Sequence, residues 1–306
     1  MNLTSSTVLS AKDTARCLPY PELVASLGKA VAEYAAGKIQ APERQVLAYP
    51  QGGRMLSMPA VAQDLGVHKL VNVMPGNPAL GLPAIQALVA VYDARTGQPL
   101  ALLDGATVTA RRTAAMSMLG IQALWPQGPA HVALLGGGQQ ALAHADAVLT
   151  LYPTAQVTLH SRTPARAEPA LAALRTHHGP RIRIGGELPA NADVVIALTS
   201  SPTPVYHEAA RPDRLLIGVG AFRPDMAEFE ARTVLASRLY VDDLNGARHE
   251  AGDFLQADVD WEQVHGIHQV LRSAAPRDKP LFFKSVGCAA WDLAAARCAL
   301  QMAESD

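Results

Sequence analysis

Cysteine is scarce: the 306-residue chain has three, Cys17, Cys288 and Cys298. They form neither a C-x-x-C pair nor an even-numbered disulfide framework, which argues against a thiol redox centre and against a disulfide-stapled secreted domain. The opening MNLTSSTVLSAKD has no basic, apolar leader, so the expected location is the cytoplasm. No run of about 18 apolar residues free of charge occurs, which argues against a membrane span. Charge of one sign is lacking too. A formal net charge of -1 gives no global field for nucleic acid or an anionic membrane, so any anion is recognised locally and the expected partner is a small molecule.

Two common enzyme signatures are also missing. The ten histidines are scattered, His249-Glu250 has no second zincin histidine, and His265 and His268 lack companions, so no metal site is expected. There is no G-x-S-x-G, and an α/β-hydrolase nucleophile has no evident home.

The chain does have enough apolar material, 49% of its residues, for a substantial core and two domains. Residues 20–36 carry apolar side chains at helical spacing, with Gly37 as the stop. Short β-rich runs follow in MLSMPAVA, VHKLVNV and PAIQALVAVYDARTGQPLALLDG, with DARTGQ as a hairpin turn. The first domain, residues 1–115, therefore reads as a helix with a mostly antiparallel sheet. A helix from Thr107 leads into a second domain, residues 116–284, where strands near 132–135, 156–160, 193–198, 215–219 and 239–241 alternate with helical stretches. That alternation predicts an α/β, Rossmann-type doubly wound parallel sheet, with Thr199, Ser200, Gly218, Gly220 and Ala221 on ligand-facing loops. The segment RTPARAEPALAALRTHHGPR reads as a polar, proline-punctuated surface element, and residues 285–306 as a C-terminal helix returning to the first domain.

The most informative motif is HVALLGGGQQALAHADAVL, a strand, a glycine turn and a helix. Gly136, Gly138 and Ala141 fit G-x-G-x-x-G/A: the first glycine makes the turn, the second admits a pyrophosphate, and the third small residue lets helix and strand pack, with the helix amides facing the anion. About 20 residues further on, where an NAD site places a carboxylate, the chain has His160, Ser161, Arg162 and Thr163. An arginine and two hydroxyls favour NADPH, with NADH as the lesser alternative.

Three cations stand out against apolar surroundings. Alternation places Lys69 with Val67, Val71 and Val73, and Arg54 with Leu56 and Met58. Arg111 and Arg112 fall in the expected opening turn of the helix that begins near Thr107 or Thr109, where cations oppose the helix dipole unless an anion is near, and one of them is expected to pair with Asp104. Arg54, Lys69 and Arg112 are thus expected to converge on one carboxylate, the guanidinium forks orienting it and the lysine acting as point charge or proton donor. Clustered cations also lower the pKa of the lysine.

The run GVHKLVNVMPGNPALGLPAIQALVAVYDARTGQPLALLDGATVTARRTAA, followed by LLGGGQQA, resembles the ornithine cyclodeaminase and mu-crystallin family, and RMLSMPA, SRTPARAE, ALTSS and LFFKSVGCAAWDLAAA extend the likeness over almost the whole chain. The resemblance implies that Arg54, Lys69 and Arg112 hold the substrate carboxylate, with Lys69 also near the reacting carbon and Thr109 a neighbouring polar position. It implies that Gly136, Gly138 and Gln139 form the pyrophosphate turn, that Ser161, Arg162 and Thr163 meet the adenosine ribose or its 2′-phosphate, and that Thr199, Val219, Ser285, Val286 and Gly287 belong to the cofactor surroundings. A homodimer joined through the sheet of the first domain is implied as well.

One departure bears on the activity. Deaminating members of the family carry an acidic residue two positions before the proline in the loop GVGAFRPDMAEFE, where this chain has Phe222. A phenyl ring can neither activate water nor accept a proton. The A-x-R-P-D pattern is similar to ketimine reductases, so the expected reaction is NAD(P)H-dependent reduction of cyclic 2-imino acids, Δ1-pyrroline-2-carboxylate to L-proline and Δ1-piperideine-2-carboxylate to L-pipecolate. The alternatives are an ornithine cyclodeaminase with bound NAD, an amino-acid dehydrogenase, and a non-catalytic NADPH-linked ligand-binding protein.

Overall fold

The computed structural model describes residues 7–303; the first six residues, read above for a leader, lie outside them. The chain divides into two compact units, one running to Arg112 and resuming at Cys288, the other Thr113–Gly287.

The first unit contains β1 (Thr7–Val8), α1 (Ala11–Arg16), α2 (Tyr20–Ala35), β2 (Gln45–Ala48), β3 (Arg54–Val61), β4 (Leu65–Val73), β5 (Ile85–Asp93) and β6 (Pro99–Asp104). Its six strands lie in the order β1-β6-β5-β4-β3-β2, antiparallel throughout except for the β1-β6 pair. α2 buries Leu23, Leu27, Ala30 and Val31, one stripe at helical period, and ends where Gly37 turns into left-handed backbone at φ +72°. The β5-β6 hairpin is closed by Asp93, whose Oδ1 accepts from the amides of Arg95 and Thr96 and from the Thr96 hydroxyl at 2.8–3.1 Å.

α3 (Gly105–Leu124) begins two residues before the expected start at Thr107. The reason is local: Asp104 Oδ1 accepts the Thr107 amide at 2.7 Å and so caps the helix. Gly105 is required at the junction, since a Cβ there would lie 2.6 Å from the Ala87 carbonyl carbon.

The second unit comprises β7 (His131–Leu135), α4 (Gln139–Leu151), β8 (Gln156–His160), α5 (Pro164–His178), β9 (Ile182–Ile184), β10 (Val194–Ala197), β11 (Leu215–Gly218), α6 (Ala231–Leu235), β12 (Arg238–Val241), α7 (Leu244–Glu250), α8 (Gly252–Gln256), β13 (Val264–Gly266) and β14 (Leu281–Lys284). All eight strands are parallel, in the order β13-β12-β14-β11-β10-β7-β8-β9. Every residue of β7, β10, β11 and β14 is buried, as expected of parallel strands covered on both faces. The winding reverses direction between β7 and β10. This doubly wound α/β sheet is the architecture expected from the alternating pattern.

The proline-punctuated segment after β8 lies mostly at the surface, and it folds as the 15-residue helix α5. Pro164 occupies the first turn, where no intrahelical amide is needed, and buried Ala167 and Leu171 supply an i, i+4 anchor that carries the helix past Pro169. The chain returns to the first unit as α9 (Ala289–Ala303), which packs on α2, β3 and β4 and receives a hydrogen bond from Ser26 Oγ to the Ala294 carbonyl at 2.8 Å. Among the described residues no helix is long and apolar enough to cross a membrane.

Candidate active site

In the first unit, alternation along β4 turns Leu65, Val67, Lys69 and Val71 inward, so the lysine is carried into the core by the same pattern that buries its neighbours. Lys69 is 1% exposed and its Nζ lies 2.7 Å from Asp292 Oδ2, a charge contact and not an aligned hydrogen bond; Asp292 is itself fully buried. The other carboxylate oxygen faces Arg112 Nε at 3.5 Å. Lys69 and Arg112 are therefore brought together on the two oxygens of Asp292. Burial pulls the Lys69 ammonium down to about 8; Asp292 opposes the fall, and the positive charges of Arg112 and Arg44 add to it. Clustered cations contribute to the shift, but desolvation is the larger cause.

The dipole of α3 does not bear on these two arginines. Because α3 starts at Gly105, Arg111 and Arg112 lie in its second turn, beyond the reach of the terminal partial charge, and Asp104 serves as the cap. Arg111 turns aside: its Nε donates to the Leu18 carbonyl at 2.9 Å and its guanidinium lies over the Tyr20 ring, 4.0 Å from the centroid. Thr109 is three residues before Arg112 on the same face of α3. Among the described residues, Thr109 Oγ1 and Arg112 Nε are buried without a hydrogen-bond partner. Such atoms suit a site that receives an anionic, hydrogen-bonding ligand.

Arg54 is placed less tightly. Pairing sets Met58 opposite Lys69 and Arg54 opposite Val73, so Arg54 shares the face of Lys69 but enters four residues away, about 13 Å along the strand. It is exposed at the open end of β3.

In the second unit the expected cofactor residues fall on one edge of the sheet. Ser161, Arg162 and Thr163 follow β8, Gly136–Gln139 follow β7, Thr199 follows β10, Val219 follows β11, and Ser285–Gly287 follow β14. These five strands are consecutive in the order β8-β7-β10-β11-β14, so their carboxyl ends form a row about 19 Å long. The winding reverses inside that row, which is where ligands bind doubly wound sheets. Gly136 has φ +135°, and a Cβ on it would come within 2.9 Å of the Leu198 carbonyl oxygen. A Cβ on Gly138 would meet nothing within 4 Å, and α4 starts there without a side-chain cap, leaving its first amides and the space before them open to an anion. The residues present thus fit a pyrophosphate. Ser161 is packed beside Gly137, and the Ser161 hydroxyl accepts the Thr163 amide at 3.2 Å; Arg162 is exposed.

Several shaping groups were not anticipated from the sequence. Glu228, fully buried, accepts the Thr199 amide and hydroxyl on Oε1 at 2.6 and 2.9 Å, and the Gly220 and Ala221 amides on Oε2 at 2.6 and 3.1 Å. Burial pushes its carboxyl upward, and the nearby Lys284 ammonium opposes that. Lys284 pairs with Asp253 at 2.7 Å, both sealed from solvent, and Asp253 in turn accepts the amides of Glu228 and Phe229. Asp242 holds the turn after β14, accepting from Ser285 Oγ and the Val286 and Gly287 amides at 2.9–3.0 Å. The available signal was a charge inside apolar text: Lys284 in LFFKSV, Asp242 after RLYV, Asp292 in AAWDLAAA. Phe222 is 45% exposed, and Asp225 in the same loop pairs with Arg223 at 3.0 Å. Among the described residues no group of three His, Cys, Asp or Glu side chains is gathered as a metal site.

A doubly wound α/β unit joined to an α+β unit that buries a lysine of its sheet beside an arginine of its helix places the protein in a specific structural class. The chain belongs to the ornithine cyclodeaminase/mu-crystallin family, whose profile matches residues 4–306. It is 54% identical over 295 residues to the Delta(1)-pyrroline-2-carboxylate/Delta(1)-piperideine-2-carboxylate reductase of Azospirillum brasilense, covering 95% of this chain and 94% of that one. It is 31% identical over 287 residues to the ketimine reductase mu-crystallin of Mus musculus, with 90% of each covered. Among solved structures it resembles the Thermococcus litoralis Delta(1)-pyrroline-2-carboxylate reductase in complex with NADH and L-proline, with a TM-score of 0.87, 25% identity and 98% coverage of both chains.

Proposed function

We propose that this protein is an NAD(P)H-dependent reductase of cyclic 2-imino acids, converting Δ1-pyrroline-2-carboxylate to L-proline and Δ1-piperideine-2-carboxylate to L-pipecolate. The observation that carries the reading is the 54% identity to a reductase of both imines across nearly the full length of both chains. The buried Lys69–Arg112 pair supplies the chemistry such a substrate needs, a desolvated cationic seat for one carboxylate. Arg112, with Thr109 beside it, fixes the carboxylate, Arg54 closes on it from the open end of β3, and Lys69 polarises or protonates the C=N nitrogen.

The nicotinamide cofactor supplies the hydride for the C=N carbon when bound. Gly136, Gly138 and Gln139 receive its pyrophosphate, Thr199, Val219, Ser285 and Gly287 surround the rest, and Ser161, Arg162 and Thr163 meet the adenosine end. With no carboxylate after β8 and a solvent-facing Arg162, NADPH is preferred to NADH.

We further propose a homodimer through the outer face of the six-stranded sheet, where Leu70 pairs with Leu88, 51% exposed, and edge-strand Leu47 is 66% exposed. Solution mass tests this. The activity is tested by following nicotinamide absorbance with each imine and each cofactor. Oxidation of the reduced cofactor with either imine supports the reading; ammonia release from ornithine without net nicotinamide change replaces it with a cyclodeaminase.

A further inference from the structure

Asp292 is the one member of the buried cluster that the substrate reading leaves without a task. A carboxylate does not bind a carboxylate, yet this side chain is sealed in the core and touches both Lys69 and Arg112. It lies in the first turn of α9, where the helix dipole favours its negative charge.

The charges around Lys69 explain its presence. Arg112 faces the lysine from α3, and Arg44 acts on it from the segment before β2, both positive; Asp292, from α9, is the carboxylate that acts in the opposite sense. Without it, a desolvated ammonium would stand among like charges, and the neutral amine would be favoured at neutral pH. A neutral amine has no proton to donate.

We propose that Asp292 is a positioning residue for the reduction, keeping Lys69 as an ammonium aimed from β4 so that Lys69 delivers the proton to the substrate's ring nitrogen. The inference rests on the assignment of Lys69 to the C=N bond under the function proposed above. As the hydride and its electron pair arrive at the carbon, the π pair of C=N moves to nitrogen. One Nζ–H bond of Lys69 breaks and an N–H bond forms on the ring. The imine is reduced, the cofactor is oxidised, and the neutral Lys69 regains its proton from water. Asp292 touches Lys69 and not the reacting atoms, so its effect is read through the titration of Lys69.

The test combines a direct titration with kinetics. The Nζ resonance of Lys69 is followed by 15N NMR against pH in the wild type and in Asp292→Asn, assigned by its loss in Lys69→Met. The wild-type lysine should be an ammonium at pH 7, and in Asp292→Asn its midpoint should fall by at least one pH unit. The alkaline limb of kcat/KM should move down by the same interval, with kcat lowered more than substrate KM is raised, and Asp292→Glu should restore the limb. A wild-type Lys69 that is neutral at pH 7 overturns the proposal even if Asp292→Asn does not fold. Reductase activity with an unmoved Lys69 midpoint in folded Asp292→Asn overturns the role of Asp292 alone. A wild type that reduces neither imine overturns the function, and the proton delivery with it, whatever Lys69 does.

Discussion

Glu228 receives both the backbone amide and the hydroxyl of Thr199, at 2.6 and 2.9 Å, on a single carboxylate oxygen. Its other oxygen takes the amides of Gly220 and Ala221, so one buried side chain ties the loop after β10 to the loop after β11. Both oxygens act only as acceptors, which an amide cannot reproduce. In Glu228→Gln the new NH2 group must face two donors, leaving buried groups unsatisfied at about 1–3 kcal/mol. Urea unfolding should show that loss as a lower midpoint, accompanied by weaker cofactor binding in a fluorescence titration; an unchanged midpoint and affinity would remove the bracing role.

Arg112 is 7% exposed and its Nε has no hydrogen-bond partner among the described residues. Replacing it by alanine should reduce kcat/KM for either cyclic imine by about 2–5 kcal/mol of transition-state binding, because a desolvated contact to the substrate carboxylate is lost. Steady-state kinetics at saturating cofactor checks this, and wild-type turnover with wild-type KM would place the carboxylate elsewhere.

The pH dependence follows from Lys69, held down at about 8. If the ammonium is the active form, kcat/KM is retained below that value and falls tenfold per pH unit above it, since the proton is lost as pH rises through the free-enzyme pKa. A profile that rises with pH through 8 would show that the neutral amine is required.

Arg162 is exposed just beyond β8, where no carboxylate is present to prefer an unmodified ribose. Arg162→Ala should raise KM for NADPH by about tenfold, the low end of a charge-assisted contact, and leave KM for NADH nearly unchanged. Equal effects on both cofactors would move the 2′-phosphate contact away from this side chain.

The positions at which sequence and structure agree share a physical reason. A period-2 strand fixes which side chains face inward, so Lys69 could be placed in a core from VHKLVNV alone. A glycine turn between an apolar strand and a helix constrains its own backbone, and the structure puts Gly136 at φ +135° hard against the neighbouring loop. Where the expectations differ from the structure, neighbouring groups decided, near in sequence in one case and remote in the other. Asp104 moved the start of α3 and so removed Arg111 and Arg112 from its first turn. Tyr20 and the Leu18 carbonyl drew Arg111 away from any shared anion.

By itself, then, the sequence determined the alternation of buried and solvent-facing residues, the glycine turn, the order of helices and strands and the family likeness, because each is written in residues near one another along the chain. The charge that answers Lys69 was settled only in three dimensions. Asp292 is more than two hundred residues downstream, and its pairing depends on the return of α9 to β4 and on burial that makes an unpaired ion costly. The same holds for Glu228 and Asp242, which reach backbone amides in loops after other strands, Thr199 after β10 and Val286 after β14: a linear chain shows which groups are charged, and only folding shows which amides they meet.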